Sequence, residues 1–196
     1  MTISTILIFL QIILMVFIVP AVLYIFIFAV AGLFYSEKKK AESPSKRKIA
    51  VLIPGYKEDS VIVEVASEAL KQSYPSNFYD VVIIADSFQP ETITKLKELP
   101  IKIIEVSFEK STKSKALNKA MEQLPDNYDI AVVLDADNVM EFDFLEKINQ
   151  AFEGKIIAVQ GHRTAKNLNN GLAILDAISE EINNHIFRKG HRVLGL

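Results

Sequence analysis

A chain of 196 residues that is 50% hydrophobic, carries a formal net charge of −2 and contains no cysteine has no disulfide framework and no thiolate chemistry. It has no basic stripe beyond one short cluster, which excludes the usual electrostatic footprint of a nucleic-acid-binding protein. A mean hydropathy of +0.23 is high for a soluble chain, and the excess is concentrated at the N-terminus.

From Ile6 to Tyr35 no residue is charged. A bilayer span requires about 20 apolar residues, so this run is long enough to cross with tilt or overhang. A cleavable signal peptide would carry basic residues ahead of a shorter apolar core, and none precedes this one. Residues 1–36 are therefore expected to form a retained transmembrane helix, with Pro20 positioned to kink it. A hairpin turned at Pro20 would leave each half shorter than a span. Lys38, Lys39, Lys40, Lys46, Arg47 and Lys48 all follow the run. The positive-inside rule then puts the remainder of the chain in the cytosol, after a single pass through the cell membrane. Residues 37–48, with Ser43-Pro44-Ser45 at their centre, form a basic juxtamembrane linker.

Beyond the linker, apolar runs alternate with helical periodicity. Ile49–Ile53 is a continuous apolar run closed by Pro54-Gly55, the pattern of a buried strand and a turn. Asp59 or Ser60 can cap a helix running to about Gln72. Tyr79–Ile84 is a second buried strand, ending at Ala85-Asp86-Ser87. A helix is expected from Pro90 to Leu99, a third strand over Ile101–Val106, and a helix over Thr112–Leu124. Ile130–Leu134 is a fourth strand and Phe142–Phe152 a helix. A fifth strand is expected over Ile156–Val159. Leu172, Leu175, Ile178, Ile182 and Ile186 recur at helical spacing, predicting an amphipathic helix to about Phe187. Fully apolar strands alternating with helices make an α/β domain over 49–196, with a Rossmann-like, mostly parallel sheet covered on both faces.

In such sheets ligands bind beyond the carboxyl ends of the strands. That rule gathers Pro54 to Glu58, Asp86-Ser87, Lys113 or Lys115, and Asp135 to Asp137 at one rim. Asp135 and Asp137 are separated by one small residue at the end of the fourth strand. If the pleat persists, both carboxylates point the same way and suit Mg²⁺ or Mn²⁺, which bridges nucleotide phosphates. An ordinary strand-to-loop exit would carry the same residue types.

Four segments in order resemble motifs of family 2 glycosyltransferases, the inverting, membrane-associated enzymes of GT-A fold. Ile53-Pro54-Gly55-Tyr56-Lys57-Glu58 is similar to their P-x-Y-N-E, with Lys57 in place of Asn. Ile84-Ala85-Asp86-Ser87 is similar to their second acidic site. Thr112-Lys113-Ser114-Lys115-Ala116-Leu117-Asn118 is similar to G-K-x-x-A-L-N, with Thr in place of Gly. Leu134-Asp135-Ala136-Asp137 is similar to D-x-D. The resemblance implies a nucleoside pocket lined by Pro54, Tyr56 and Glu58, with Asp86 on the base, usually uracil, and Lys113 near the nucleotide. It implies that Asp135 contacts the ribose or metal side and that Asp137 ligates the divalent ion.

The expected function is transfer of a sugar from a nucleotide-sugar, most simply a UDP-sugar, to a lipid or glycan acceptor. An inverting transferase also needs a general base, which the family supplies after the D-x-D along with a later Q-x-x-R-W segment. Neither is present in the sequence; Glu180-Glu181 falls in the amphipathic helix. No catalytic base is therefore assigned, and the chain is expected to be the donor-binding front part of a longer, truncated GT-A domain, inactive alone. The alternative is a non-catalytic nucleotide-binding module on the membrane. A nucleotidyltransferase would carry a Gly- and Arg-rich loop where Pro54–Glu58 stands.

Overall fold

The computed structural model describes residues 2–36, 45–152, 156–165 and 168–195. The linker lysines Lys38, Lys39 and Lys40 lie outside the described residues. The chain divides into two compact units: one over Lys40–Gln160, and one combining Met1–Lys39 with Gly161–Leu196.

The first unit is the sheet domain. Its strands are β1 (Ile49–Tyr56), β2 (Tyr79–Asp86), β3 (Lys102–Val106) and β4 (Ile130–Val133). They run parallel in the order β3-β2-β1-β4, as expected of an α/β chain whose central strands are largely apolar; the edge strand β3 carries exposed Lys102 and Glu105. The helix α1 (Ile3–Leu33) precedes them; α2 (Ile62–Ala69), α3 (Pro90–Lys97), α4 (Lys113–Gln123) and α5 (Phe144–Ala151) alternate with them, and α6 (Gly171–Asn184) follows. Strand alternation sorts β1 between two cores. Ile49, Val51 and Ile53 pack with residues of α2, α3 and α5, while Ala50 and Leu52 pack with Ala116 and Ala120 of α4. Truncating a fully buried residue such as Ile53 to alanine costs roughly 2–5 kcal/mol.

Local chemistry sets the helix starts. The Thr112 hydroxyl accepts from the Lys115 N–H at 3.3 Å and caps α4, and Pro90 occupies the first turn of α3. The expected cap on α2 is not made. Val61 holds that position without a side-chain bond, because the Asp59 carboxylate turns instead to the Gln89 N–H, 2.8 Å away, just before α3.

The expected fifth strand is also absent. Residues 156–160 are described but form no ladder, and Ile157 is 94% exposed. An apolar run becomes a strand only when a neighbour satisfies its backbone groups, and these residues bond to no strand in the sheet.

The second unit is helical. The 31 residues of α1 continue through Pro20, and the most apolar stretch is wholly exposed. Only Phe28, Ala31 and Gly32 of α1 are buried. They meet a π-helical segment, His185–Gly190, which continues from α6. Small residues allow the close approach: a Cβ on Gly190 would lie 2.2 Å from the Phe28 carbonyl oxygen, and one on Gly32 would lie 2.8 Å from the His185 ring. The His191 ring stacks on Phe28 at 3.9 Å between centroids and shares a 2.7 Å hydrogen bond with the Tyr24 hydroxyl.

Candidate active site at the carboxyl rim of the sheet

Parallel pairing brings the first two motifs together. In the β1–β2 register Tyr56 lies opposite Asp86, Gly55 opposite Ala85 and Pro54 opposite Ile84. The ladder goes one step further, since the Lys57 N–H donates to the Asp86 carbonyl at 3.1 Å. Past this point both strands turn sharply. Lys57 (φ 54°) and Ser87 (φ 61°) each adopt the left-handed conformation without being glycine. Such residues cost of order 1–3 kcal/mol and cluster at functional sites. Ser87 offsets part of this by donating its hydroxyl to Asp86 Oδ1 at 2.9 Å. Asp86 is buried at 3% exposure, whereas the neighbouring Tyr56 ring is 52% exposed. Glu58 is exposed in the loop that follows.

Gly55 is required here by space. A Cβ on it would come within 2.6 Å of Phe88 Cζ, so the aromatic ring after β2 lies directly over the β1 backbone. Asp59 fastens the same loop from its other end. Hydrogen bonds from the Thr92 side chain and the Gln89 N–H hold its carboxyl below the usual carboxylate range.

Pro54 explains where β4 stops. In a parallel pair the N–H and C=O of one residue point to the same neighbour. Leu52 faces β4, since its carbonyl accepts from the Leu134 N–H at 2.9 Å, so by alternation position 54 faces β4 as well. Proline has no N–H to give. The regular strand ends at Val133, and the Asn138 N–H closes a turn on the Asp135 carbonyl at 3.0 Å. The pleat therefore does not persist to Asp137, and the common direction that a continued strand would give both carboxylates is not maintained. Asp135 is half-buried and Asp137 exposed.

The third and fourth motifs do meet: the Lys113 ammonium pairs with Asp135 Oδ1. Lys113 is the first residue of α4, so Thr112, which caps that helix, also aims the lysine. Lys115 turns elsewhere, donating to the Lys110 carbonyl at 2.9 Å. His162, in the other unit, pairs with Glu181 at 2.8 Å.

Among the described residues no group of three His, Cys, Asp or Glu converges. By donor type Asp135 and Asp137 would suit Mg²⁺ or Mn²⁺, which take one or two protein carboxylates and complete their shell with phosphate oxygens and water; the turn between them leaves the two without a common direction, and Asp135 is already paired with Lys113. The sequence indicated the acids and the lysine. It placed Ser87 at the rim beside Asp86 and Asp59 at a helix start, but it did not indicate Phe88 or the Asp59 bond to Gln89, whose only signal is that they follow a strand end, where turn chemistry concentrates.

The mannosyltransferase PcManGT from Pyrobaculum calidifontis, solved with GDP-Man and Mn²⁺, superposes with a TM-score of 0.52 at 22% identity, over 66% of this chain and 38% of its own. The chain thus spans well under half of that enzyme. TarS of S. aureus aligns with a TM-score of 0.43 at 22% identity, over 52% of this chain and 18% of its own. No curated protein matches. The first likeness shows a GT-A fold. Residues 45–190 match the family described as Glycosyltransferase like family 2, and the chain belongs to that family.

Proposed function

We propose that this chain is the donor-binding part of a membrane-anchored, inverting glycosyltransferase that takes a sugar from a nucleotide-sugar, a UDP-sugar in the first instance, to a lipid or glycan acceptor. Residues 49–196 form its GT-A region, 37–48 its linker and 1–36 its anchor. The observation that carries the proposal is the pairing at one rim: Tyr56 lies in register with buried Asp86, and Lys113 is paired with Asp135.

In this assignment Pro54, Tyr56 and Glu58 border the nucleoside, the exposed Tyr56 ring offers it an apolar face, and Asp86 accepts from the base. Ser87 holds one Asp86 oxygen, which orients the other. Asp137 and Asp135 hold Mg²⁺ or Mn²⁺; when bound, the ion neutralises the charge that gathers on a leaving nucleoside diphosphate. Lys113 adds a second positive group on the same side. We assign no general base to any residue.

The membrane part of the proposal is supported by one helix, Ile3–Leu33, long and apolar enough to span, and by the basic residues that follow it. The sheet domain then lies in the cytosol, where nucleotide-sugars are made.

Calorimetry on the full chain in detergent, with UDP or GDP and with or without Mn²⁺, tests the donor site. Metal-dependent UDP binding that is lost in Asp137→Ala is expected. Equal affinity with and without metal would overturn the metal site, and preference for GDP would overturn the choice of base. A reporter fused after residue 48 tests orientation, a cytosolic signal being expected.

A further inference from the structure

The apolar side of α6 is uncovered. Leu172, Leu175, Ile178 and Ile182 stand between 50% and 80% exposed; Leu175, Ile178 and Ile182 lie on the side of the helix away from Asp176 and Glu180, and Leu172 at its edge, one turn before Asp176. Ile174, Ile178, Ile182 and Ile186 line an open groove whose exposed surface is almost wholly apolar, together with Ala29 of α1 and Leu168; Glu181, paired with His162, and His185, bonded to the Ala29 carbonyl, also border it. Four such side chains on one helix are too many to leave in water, where each forgoes roughly 1.5–3 kcal/mol of burial.

Three observations indicate what covers them. The groove is continuous with α1, since Ala29 forms part of its wall. Next is the level at which the two meet. Thirty-one residues of helix measure about 46 Å against a hydrocarbon slab of about 30 Å, so α1 projects beyond the slab by several turns. The π-helical segment and the residues after it dock on the last third of α1 through Phe28 and Gly32, and on Tyr35 just beyond its end. The third is charge. Arg188, Lys189 and Arg192 follow α6 directly; Arg188 reaches Glu180 at 3.8 Å, and Arg192 donates to the Tyr35 hydroxyl at 3.1 Å. Charged groups at this density avoid the slab, which puts the docking level at the headgroups. An apolar helix face beside a basic cluster at that level is the pattern of an interfacial helix on an anionic leaflet.

We propose that α6 lies in the lipid–water interface beside α1, its Leu172–Ile182 face on the acyl chains of an anionic membrane and its Asp176–Glu180 face in water. The proposal rests on the reading that α1 spans the bilayer.

The absence of cysteine makes the test direct. A single cysteine is introduced as Leu175→Cys, Asp176→Cys or Val16→Cys, labelled with an environment-sensitive fluorophore, and the full chain is reconstituted in phosphatidylglycerol-containing vesicles. The expected result is quenching of the 175 label by shallow doxyl lipids and of the 16 label by deep ones. The 176 label should be several-fold more accessible to aqueous iodide than the 175 label. If the 16 label is lipid-quenched but the 175 label is open to iodide, the interfacial helix is overturned while the anchor stands. A 175 label shielded from both iodide and doxyl lipid is covered by protein, such as a second copy of the chain, which also overturns it. Iodide access at 16 removes the anchor and the inference together.

Discussion

At the amino ends of the strands, Asp80 collects the Tyr128 hydroxyl at 2.6 Å, the Lys102 ammonium at 3.2 Å and, at 3.8 Å, that of Lys48, while the Lys48 N–H donates to Asp129 at 2.7 Å. Each charge there is answered by a neighbour on an adjoining strand or connection. At the carboxyl ends, two residues are left-handed without being glycine, an aromatic ring is half exposed, and an acid and a lysine are paired in largely solvated positions. One rim of the sheet is closed upon itself, and the other retains strain and accessible groups. The contrast teaches that charge density alone does not mark a site, because both rims are charged. What separates them is how far the polar groups are already satisfied and whether the backbone is relaxed.

The sharpest way to break this comparison is Asp137→Ala. If the carboxyl rim is the binding rim, metal-dependent affinity for UDP should fall by about 10–100-fold or more, with the thermal midpoint unchanged because the residue is exposed. A drop in midpoint with affinity retained would reverse the roles of the two ends. Gly55→Val comes next. The new side chain must displace Phe88, and overpacking of this kind costs roughly 1–3 kcal/mol, to be read by urea unfolding, together with weakened nucleotide binding as the Tyr56–Glu58 loop shifts.

Asp80→Asn tests the opposite rim and should cost about 1 kcal/mol while leaving UDP affinity as it was. Burial would raise the Asp80 carboxyl, but the bonds from Tyr128 and Lys102 outweigh it and hold it below its ordinary value. Lys102 is raised, first by its bond with Tyr128 and then by Asp80. The Asp80 contribution is therefore present above about pH 4 and lost as pH falls through the folded value. The Lys102 contribution is present below about pH 10 and lost as pH rises through its folded value. Unfolding of the parent protein should steepen in acid, and that of Asp80→Asn should be flatter there. Lys113→Ala should move stability least, by no more than about 0.5 kcal/mol, since both partners of its ion pair are about half exposed and water screens the attraction. Its effect belongs in nucleotide affinity, which should decline several-fold and become less sensitive to salt.

Three of the strands were legible because each centres on a short, largely apolar run rich in Val and Ile, and β3, with Lys102 and Glu105 at its flanks, from Ile103-Ile104 at its middle. The rim followed from the topology that such strands impose. The fifth strand was misjudged because Ile156–Val159 has the composition of a strand without a partner edge, and composition carries no information about partners. Asp59 was misassigned for a related reason: a carboxylate near a helix start has an obvious local donor, but a stronger one came from Gln89, 30 residues away in sequence. The acids of the site could be read from motif spacing. The turn at Asp135 could not, because it depends on an N–H that Pro54, on a different strand, does not possess.

The way the chain enters the sheet domain has a mechanical consequence. Arg47 is bound to α5 by its guanidinium, which donates to the Asn149 carbonyl at 2.9 Å; the Arg47 carbonyl receives the Tyr74 hydroxyl at 2.8 Å, and Lys46 pairs with Glu146. A pull on the linker is therefore taken up before it reaches β1. What passes this clamp loads β1 along its own axis, against ladders on both sides. Bonds strained side by side share the load, whereas bonds opened in sequence fail one at a time. If α1 anchors the chain as proposed, the tether is attached at a central strand, and jostling of the membrane should reach the far rim as rigid movement of the whole sheet domain and leave the spacing of Tyr56, Asp86 and Asp135 intact.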